Sequence, residues 1–517
     1  MSRHDREDRS PTPQPPSLAT APDRAAAHDA LDQRADAFEI LLDGVAAQAF
    51  PGETLWQVAL RAGERIPHLC FKDAPGYRAD GNCRACMVEI EGERVLAASC
   101  IRAAQPGMVV RSASSTRARQ AREGVLELLL EQQPARTHSP DRSSHFWELV
   151  EHMRLPAADR GPAAQQPDRT HPAIHVNLDA CITCGLCVRA CREVQVNEVI
   201  GLAHRGARAK IVFDFDDALG DSSCVACGEC VQACPTGALM PATLVDAQGR
   251  GDSACAERKV DSVCPYCGVG CQLTYHVRDE RILFVEGRNG PANENRLCVK
   301  GRFGFDYPNH RGRLTTPLIR RAGVPKGVDP AFDPANPLSH FRPASWDEAL
   351  DFAAAGLRRL LDAHGPGVLA GFGSAKCSNE EAWLFQKLVR TGFGSNNVDH
   401  CTRLCHASSV AALMECIGSG AVTASFMQAA HADVVILTGC NPTVNHPVAA
   451  TYFKQAAKRG TRLIVLDPRG LVLGHHAHRM VSFTPGSDVA LFNAMLNVIV
   501  GEGLCDRDFI AARTEGF

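Results

Sequence analysis

"CPYCGVGC" (residues 264–271), followed by "RLCVKG" (296–301), sets Cys264, Cys267, Cys271 and Cys298 at the spacing C-x2-C-x3-C-x26-C. Three thiols this close in sequence face one point only if the chain wraps around it, and the fourth must return from a later segment to close the set. Four soft thiolates are the usual ligand set of an iron-sulfur cluster. Lys300 stands two residues beyond the last of them.

Upstream, "CITCGLCVRAC" (181–191) supplies Cys181, Cys184, Cys187 and Cys191, and "CVACGECVQACP" (224–235) supplies Cys224, Cys227, Cys230 and Cys234. Each run is C-x2-C-x2-C-x3-C, and in two-cluster ferredoxins the fourth cysteine of each run ligates the other cluster. The expected sets are therefore Cys181, Cys184, Cys187 with Cys234, and Cys224, Cys227, Cys230 with Cys191. Arg192 stands where a proline usually follows the first run, which bears on loop stiffness more than on ligation. Further upstream, Cys70, Cys83, Cys86 and Cys100 form C-x12-C-x2-C-x13-C. The long first gap excludes a simple zinc ribbon; the segment resembles the two-iron domain of the large NADH dehydrogenase subunit and its relatives. Of the 23 cysteines, Cys255, Cys377, Cys401, Cys416, Cys440 and Cys505 fit no spacing and read as small core residues or bystanders. Cys405 is left over.

The chain has 517 residues, 45% hydrophobic and 22% charged, with a formal net charge of −3. That balance excludes a basic nucleic-acid footprint. No run approaches the ~18 consecutive apolar residues of a membrane span, and the first residues lack an apolar signal core or twin-arginine leader. Clustered C-x-x-C runs rather than dispersed cysteines point to metal ligation in a reduced compartment, so a cytoplasmic protein is expected.

Composition and periodicity divide the chain into an expected disordered tail (1–36), a two-iron domain (37–113), a helical connector (114–170), a tandem four-iron ferredoxin domain (171–258), a cluster-bearing domain (259–343) and an α/β domain (344–517). Asp43-Gly44 signals a hairpin, and Thr54 with Gln57 a capping box. In the connector Ala118, Ala121, Val125, Leu128 and Leu129 recur at helical spacing. After residue 344, helical patterns at 345–365, 378–394, 446–460 and 487–503 alternate with apolar strands at 367–373, 432–439 and 461–467. The first two helices open with Ser-x-x-Glu. This alternation predicts a parallel sheet with helices on both faces. The fold class is thus α/β multidomain: a β-grasp two-iron domain, an α+β tandem ferredoxin domain, then cluster-bearing and parallel-sheet domains.

The Cys264 spacing with Lys300 resembles the cluster that opens the catalytic fold of the molybdopterin-dependent oxidoreductases. That resemblance implies that Lys300 lies between cluster and pterin and helps electrons pass. It also implies that Gly373, Ser374, Ala375 and Lys376 lie near a pterin pyrophosphate, that Gly439, Asn441 and His446 line a second loop, and that Asp467, Arg469 and Asp488 lie on the nucleotide side of a bis-molybdopterin guanine dinucleotide. Loops at the carboxyl ends of parallel strands suit such a ligand. In this family one side chain binds the molybdenum or tungsten directly, and the resemblance gives that role to Cys405. Cys405 is followed by His406, the formate dehydrogenase pattern, whereas nitrate reductases with cysteine usually continue with methionine. The segments 290–321 and 438–469 resemble the α subunit of soluble NAD-dependent formate dehydrogenases, a similarity running from residue 37 onward. By that resemblance the chain stops about halfway through the catalytic subunit, formate is oxidised to carbon dioxide with His406 as acid/base group, and electrons leave through one two-iron and three four-iron clusters. No GxGxxG after a strand with an acidic residue ~20 positions on is present, so a separate flavin- and NAD-binding diaphorase subunit is the expected partner in a hetero-oligomer. The alternatives are an electron-transfer or scaffold module without its own metal-pterin site, and another molybdopterin oxidoreductase such as a nitrate reductase.

Many relatives hold a further four-iron cluster on one histidine and three cysteines in the connector. Here residues 131–155 contain His138, His145 and His152 but no cysteine. Iron analysis of the anaerobically purified protein should give about 14 irons per chain, against about 18 with the extra cluster.

Overall fold

In the computed structural model, residues 36–156, 166–327, 331–333 and 335–517 are described; the expected disordered tail lies outside them, apart from Asp36. The amino-terminal domain has strands β1 (Phe38–Leu42), β2 (Val45–Ala49), β3 (Met87–Ile90), β4 (Ala97–Ala98) and β5 (Val109–Arg111), with helix α1 (Leu55–Arg61). The strands form one mixed sheet in the order β2-β1-β5-β3-β4, with β1 and β5 parallel. The hairpin turns at Asp43 and Gly44, both at positive φ (47° and 83°), as a two-residue connection between right-twisted strands requires. The Thr54–Gln57 capping box is present at α1. Alternate residues Ile40, Leu42, Val88, Ile90 and Val110 face α1's Leu55 and Val58 to build the core. Asp43 also fastens β5 to the hairpin, accepting from the amides of Ser112 (2.8 Å), Ala113 (3.0 Å) and Ser114 (2.9 Å). Burial works to raise its carboxyl pKa, but the bonds from Ser114, Ala113 and Ser112 outweigh it and hold the group below the usual range.

The connector forms α2 (Thr116–Leu130) and α3 (His145–His152). The buried stripe of α2 is Ala118, Arg122, Leu126 and Leu130, of which only Ala118 belongs to the expected set, and Leu128 is 67% exposed. An arginine occupies the inner face because its guanidinium bonds Ala118 O and Ser112 O, a pairing that apolar periodicity does not register.

Two similar halves make the ferredoxin domain: β6 (Ile174–Val176) pairs with β9 (Leu239–Pro241), β7 (Ile200–Ala203) pairs with β8 (Lys210–Phe213), and the short helices α4 (Leu186–Arg189) and α5 (Glu229–Ala233) follow the two cysteine loops. Beyond it, β10 (Arg258–Val263), β11 (Gln272–Arg278) and β12 (Arg281–Gly287) form an antiparallel sheet, with α6 (Val299–Phe303) leading from Cys298. The hairpin β13 (Leu318–Arg320) and β14 (Phe341–Pro343) then introduces the α/β part.

There, α7 (Trp346–His364), β15 (Gly371–Phe372), α8 (Asn379–Lys387), β16 (Val398–Asp399), α9 (Thr402–Cys405), α10 (Ala407–Ile417), β17 (Val434–Thr438), α11 (Pro442–Asn445), α12 (Pro447–Arg459), β18 (Arg462–Leu466), β19 (Arg479–Val481), α13 (Asp488–Gly501) and α14 (Arg507–Arg513) follow in order. Strand pairing is parallel as expected, but split into β15-β16 and β17-β18-β19. The expected strand at 367–373 shrinks to two residues. The capping box is complete at Ser378–Glu381; at α7 Ser345 caps Glu348 N while the Glu348 carboxylate turns to Arg342 (2.6 Å). Large apolar side chains are exposed here, including Trp346, Phe372 and Leu404. No described helix is long and apolar enough to cross a membrane.

Candidate functional site

The two-iron quartet is assembled by the loop after α1 (Cys70), the turn before β3 (Cys83 and Cys86) and the turn after β4 (Cys100). Cys70, Cys86 and Cys100 are buried and Cys83 is half-buried. The Cys83 amide lies 3.3 Å from Cys70 Sγ. Hydrogen bonds from Cys100 and Cys83 pull the Cys70 thiol far below its ordinary value, while the same contacts push Cys100 and Cys83 up. Four sulfurs in hydrogen-bond contact within one pocket suit the thiolate ligation of a cluster.

Both ferredoxin loops turn the same way. Thr183 and Gly185 flank Cys184 at positive φ, and Ala226 and Gly228 flank Cys227 likewise. The turn points the Thr183 amide at Cys181 Sγ (3.4 Å) and the Ala226 amide at Cys224 Sγ (3.3 Å). A small cavity is lined by Cys181, Cys184, Cys187 and Cys234 together, and Cys191 lies in electrostatic reach of Cys224, Cys227 and Cys230. Cys234 thus stands with the three cysteines of the other loop around one cavity. Burial pushes the Cys181 thiol up to about 11 and Cys227 to about 12. Without metal these thiols hold their protons; cluster iron would displace them.

A further cavity is lined by Cys264, Cys267, Cys271 and Cys298 with Lys300. Cys298 caps α6, Lys300 is its second residue, and a Cβ on Gly301 would stand 3.3 Å from Cys264 Sγ. Glycine therefore lets α6 approach the quartet. Lys300 is exposed and also lines a wider cavity of about 690 Å³ with Cys227 and Cys298, between the ferredoxin domain and the α/β part. Among the described residues no group of three or more His, Cys, Asp or Glu is drawn together as for a single metal ion.

The quartets adjoin in series. Cys70, Cys83 and Cys184 pack in one apolar cluster, tied by Arg189 donating to Cys70 O (2.6 Å). At the other end Arg302 of α6 donates to Cys227 O (3.3 Å), Gln232 Oε1 and Val285 O (3.1 Å), and pairs with Glu229 (3.4 Å). Glu229 also accepts from Tyr77 OH (2.8 Å). A Cβ on Gly228 would meet Arg302 Cγ at 2.7 Å as well as adopting positive φ, so that glycine serves the docking of α6. Sequence spacing gave no sign of this Arg302–Glu229 junction.

At the carboxyl ends of β15 and β16 a cavity of about 460 Å³ is lined by Gly373, Ser374, Cys377, Asp399 and His400 among others. His400 Nε2 lies 2.7 Å from Ser374 O. Ala375 and Lys376 follow on the same exposed loop. Asp399 and His400 were missed, because a two-residue strand leaves no periodic signal. Gly439 takes positive φ after β17, Asn441 caps α11, and His446 precedes α12. Asp467 is buried and accepts from the Arg469 amide (2.9 Å); Asp488 begins α13. Cys405 ends the single turn α9, and α10 starts at Ala407 after a bend at His406 (φ −143°, ψ 18°). The break arises because His406 departs from helical backbone. Cys405 and His406 are exposed and do not line the β15–β16 cavity.

Comparison with known families matches residues 35–115 to a "2Fe-2S iron-sulfur cluster binding domain", 180–238 to a "4Fe-4S dicluster domain", 257–310 to a "Molybdopterin oxidoreductase Fe4S4 domain" and 313–516 to "Molybdopterin oxidoreductase". Curated relatives include "Probable oxidoreductase YjgC" of Bacillus subtilis (32% identical, 92% of this chain, 50% of that one) and "Putative formate dehydrogenase YrhE" of the same organism (30%, 91% and 50%). "F420-dependent formate dehydrogenase subunit alpha" of Methanocaldococcus jannaschii is 37% identical over 50% of this chain and 35% of that one. The chain spans about half the length of the first two relatives.

Proposed function

Because this chain is built from a two-iron domain, a four-iron dicluster domain and the Fe4S4 and molybdopterin domains of the molybdopterin oxidoreductases, we propose that it is the cluster-bearing and pterin-binding part of a formate dehydrogenase. The observation that carries the reading is the unbroken series of four thiol quartets ending beside Lys300, on a chain whose relatives include named formate dehydrogenases. A molybdenum or tungsten bis-molybdopterin guanine dinucleotide would supply the two-electron acceptor chemistry. Cys405 would provide a soft thiolate to it, and His406 would hold or release a proton beside formate. Gly373, Ser374, Ala375 and Lys376 would hold a pterin pyrophosphate, Gly439, Asn441 and His446 the second loop, and Asp467, Arg469 and Asp488 the nucleotide end. Electrons would pass Lys300, the Cys264 quartet, the two ferredoxin clusters and the two-iron site to a flavin- and NAD-binding partner subunit.

The exposure of Cys405 favours a second reading, an electron-transfer module with no metal-pterin of its own. Elemental analysis of the protein purified from cells supplied with molybdate and tungstate separates the two. The formate dehydrogenase reading expects about one Mo or W per chain and release of guanine nucleotide on acid treatment; iron without either metal would leave the electron-transfer reading standing.

A further inference from the structure

Helix α12 lies against the ferredoxin domain, and its inner face is held by specific bonds. Gln455 donates to Glu193 O (3.0 Å) and Val194 O (2.9 Å), and Lys458 to Arg192 O (3.3 Å) while pairing with Glu198. Next to Gln455 on the same helix, Lys454 is 8% exposed. Its ammonium donates to Val196 O and Asn197 Oδ1, both at 2.9 Å. The Asn197 amide in turn donates to Cys227 Sγ at 3.8 Å. Val196 and Glu198, on either side of Asn197, both have positive φ (52° and 62°), a conformation that costs energy for residues other than glycine. The chain is thus bent to present one amide between a buried cation and a cluster sulfur.

Lys454 makes its two hydrogen bonds to neutral acceptors. Cys227, Cys191 and Glu198 all lie in electrostatic reach of it, the two cysteines as anions once they ligate iron. Burial pushes its pKa down to about 8, so removing this ammonium from water has a cost that its neutral partners only partly offset.

We propose that Lys454, acting through Asn197, raises the reduction potential of the four-iron cluster held by Cys191, Cys224, Cys227 and Cys230, and so makes that cluster a holding station on the electron path. Net charge and hydrogen bonds to the sulfurs are two of the levers that set such potentials. A cation near the cluster stabilises the form with one more electron, and the polarised Asn197 N–H adds in the same direction. In each transfer the Cys264-quartet cluster is oxidised by one electron and this cluster reduced by one, with no bond formed or broken and no proton moved. Lys454 is a positioning residue, acting on the cluster through Asn197. The proposal rests on the dicluster domain holding its clusters.

The test is a redox titration of the anaerobically purified full chain, followed by electron paramagnetic resonance, with Lys454→Met, Lys454→Arg and Asn197→Leu beside the wild type. One four-iron signal should reduce at lower potential in Lys454→Met, its reduction equilibrium about tenfold less favourable, ~59 mV for a one-electron couple. Lys454→Arg should restore most of the shift, and Asn197→Leu should move the same signal part of the way. Unmoved signals in Lys454→Met, or an equal shift in Lys454→Arg, overturn the proposal. If Lys454→Met does not fold, Asn197→Leu decides, and an unmoved signal there overturns it. Absence of four-iron signals from the wild type overturns the cluster reading and this proposal with it, whereas signals present but unmoved overturn the proposal alone.

Discussion

Formate-dependent viologen reduction by the complete assembly should fall more than about 100-fold in Cys405→Ser, while iron-sulfur absorbance stays at its wild-type level. The size follows from the role. Loss of a group that only orients a metal ligand typically costs 10–100-fold, and loss of the ligand itself should cost more. A serine oxygen is a harder, more basic donor than a thiolate and suits a sulfur-rich metal site poorly. Cys405 is exposed and lies outside all four cluster quartets, so the substitution leaves the cluster cradles and the packed core alone. Activity and cluster absorbance therefore separate two explanations: joint loss would indicate misfolding, and unchanged activity would remove Cys405 from the site.

The second large effect is structural. Arg302→Ala should destabilise the docking of α6 on the ferredoxin domain by about 3–5 kcal/mol, the usual cost of stranding a buried charge. The side chains of Arg302 and Glu229 are 3% and 1% exposed. Three domains meet at this pair, because Tyr77 of the two-iron domain donates to Glu229 and its phenol is pushed well above its ordinary value by burial and by that carboxylate. The expected readouts are a lowered thermal midpoint and faster proteolysis between the ferredoxin and Fe4S4 domains. Converting both partners to neutral residues, Arg302→Met with Glu229→Gln, should recover part of the loss, since the buried carboxylate left without its guanidinium is removed, while Lys72, 3.9 Å from Glu229, loses a partner of its own. Additive loss in the double variant would show that the two side chains act independently.

How legible each feature was depended on how local its cause is. Ligand spacing is local: three of four thiols in each ferredoxin run come from one turn, so the motifs and the domains they mark could be read in order. The Asp43-Gly44 hairpin, the Thr54–Gln57 cap and α7 were legible for the same reason, since each depends on neighbouring residues. The α2 stripe was misread because Arg122 is kept inside by bonds to Ser112, ten residues away. His400 and Asp399 escaped notice because β16 has only two residues.

By itself the sequence determined the order of the domains: a two-iron domain, a dicluster ferredoxin domain, a further Fe4S4 domain, and a parallel α/β region after them. Only the tertiary structure decided how those groups are joined. It placed Cys70 against Cys184, Arg302 against Glu229, and Lys454 behind Asn197 and Cys227. The reason is physical. A thiol quartet needs little more than a turn of chain with the right spacing, whereas a buried charge is tolerable only where distant segments deliver its partners, and that delivery is a property of the packed fold.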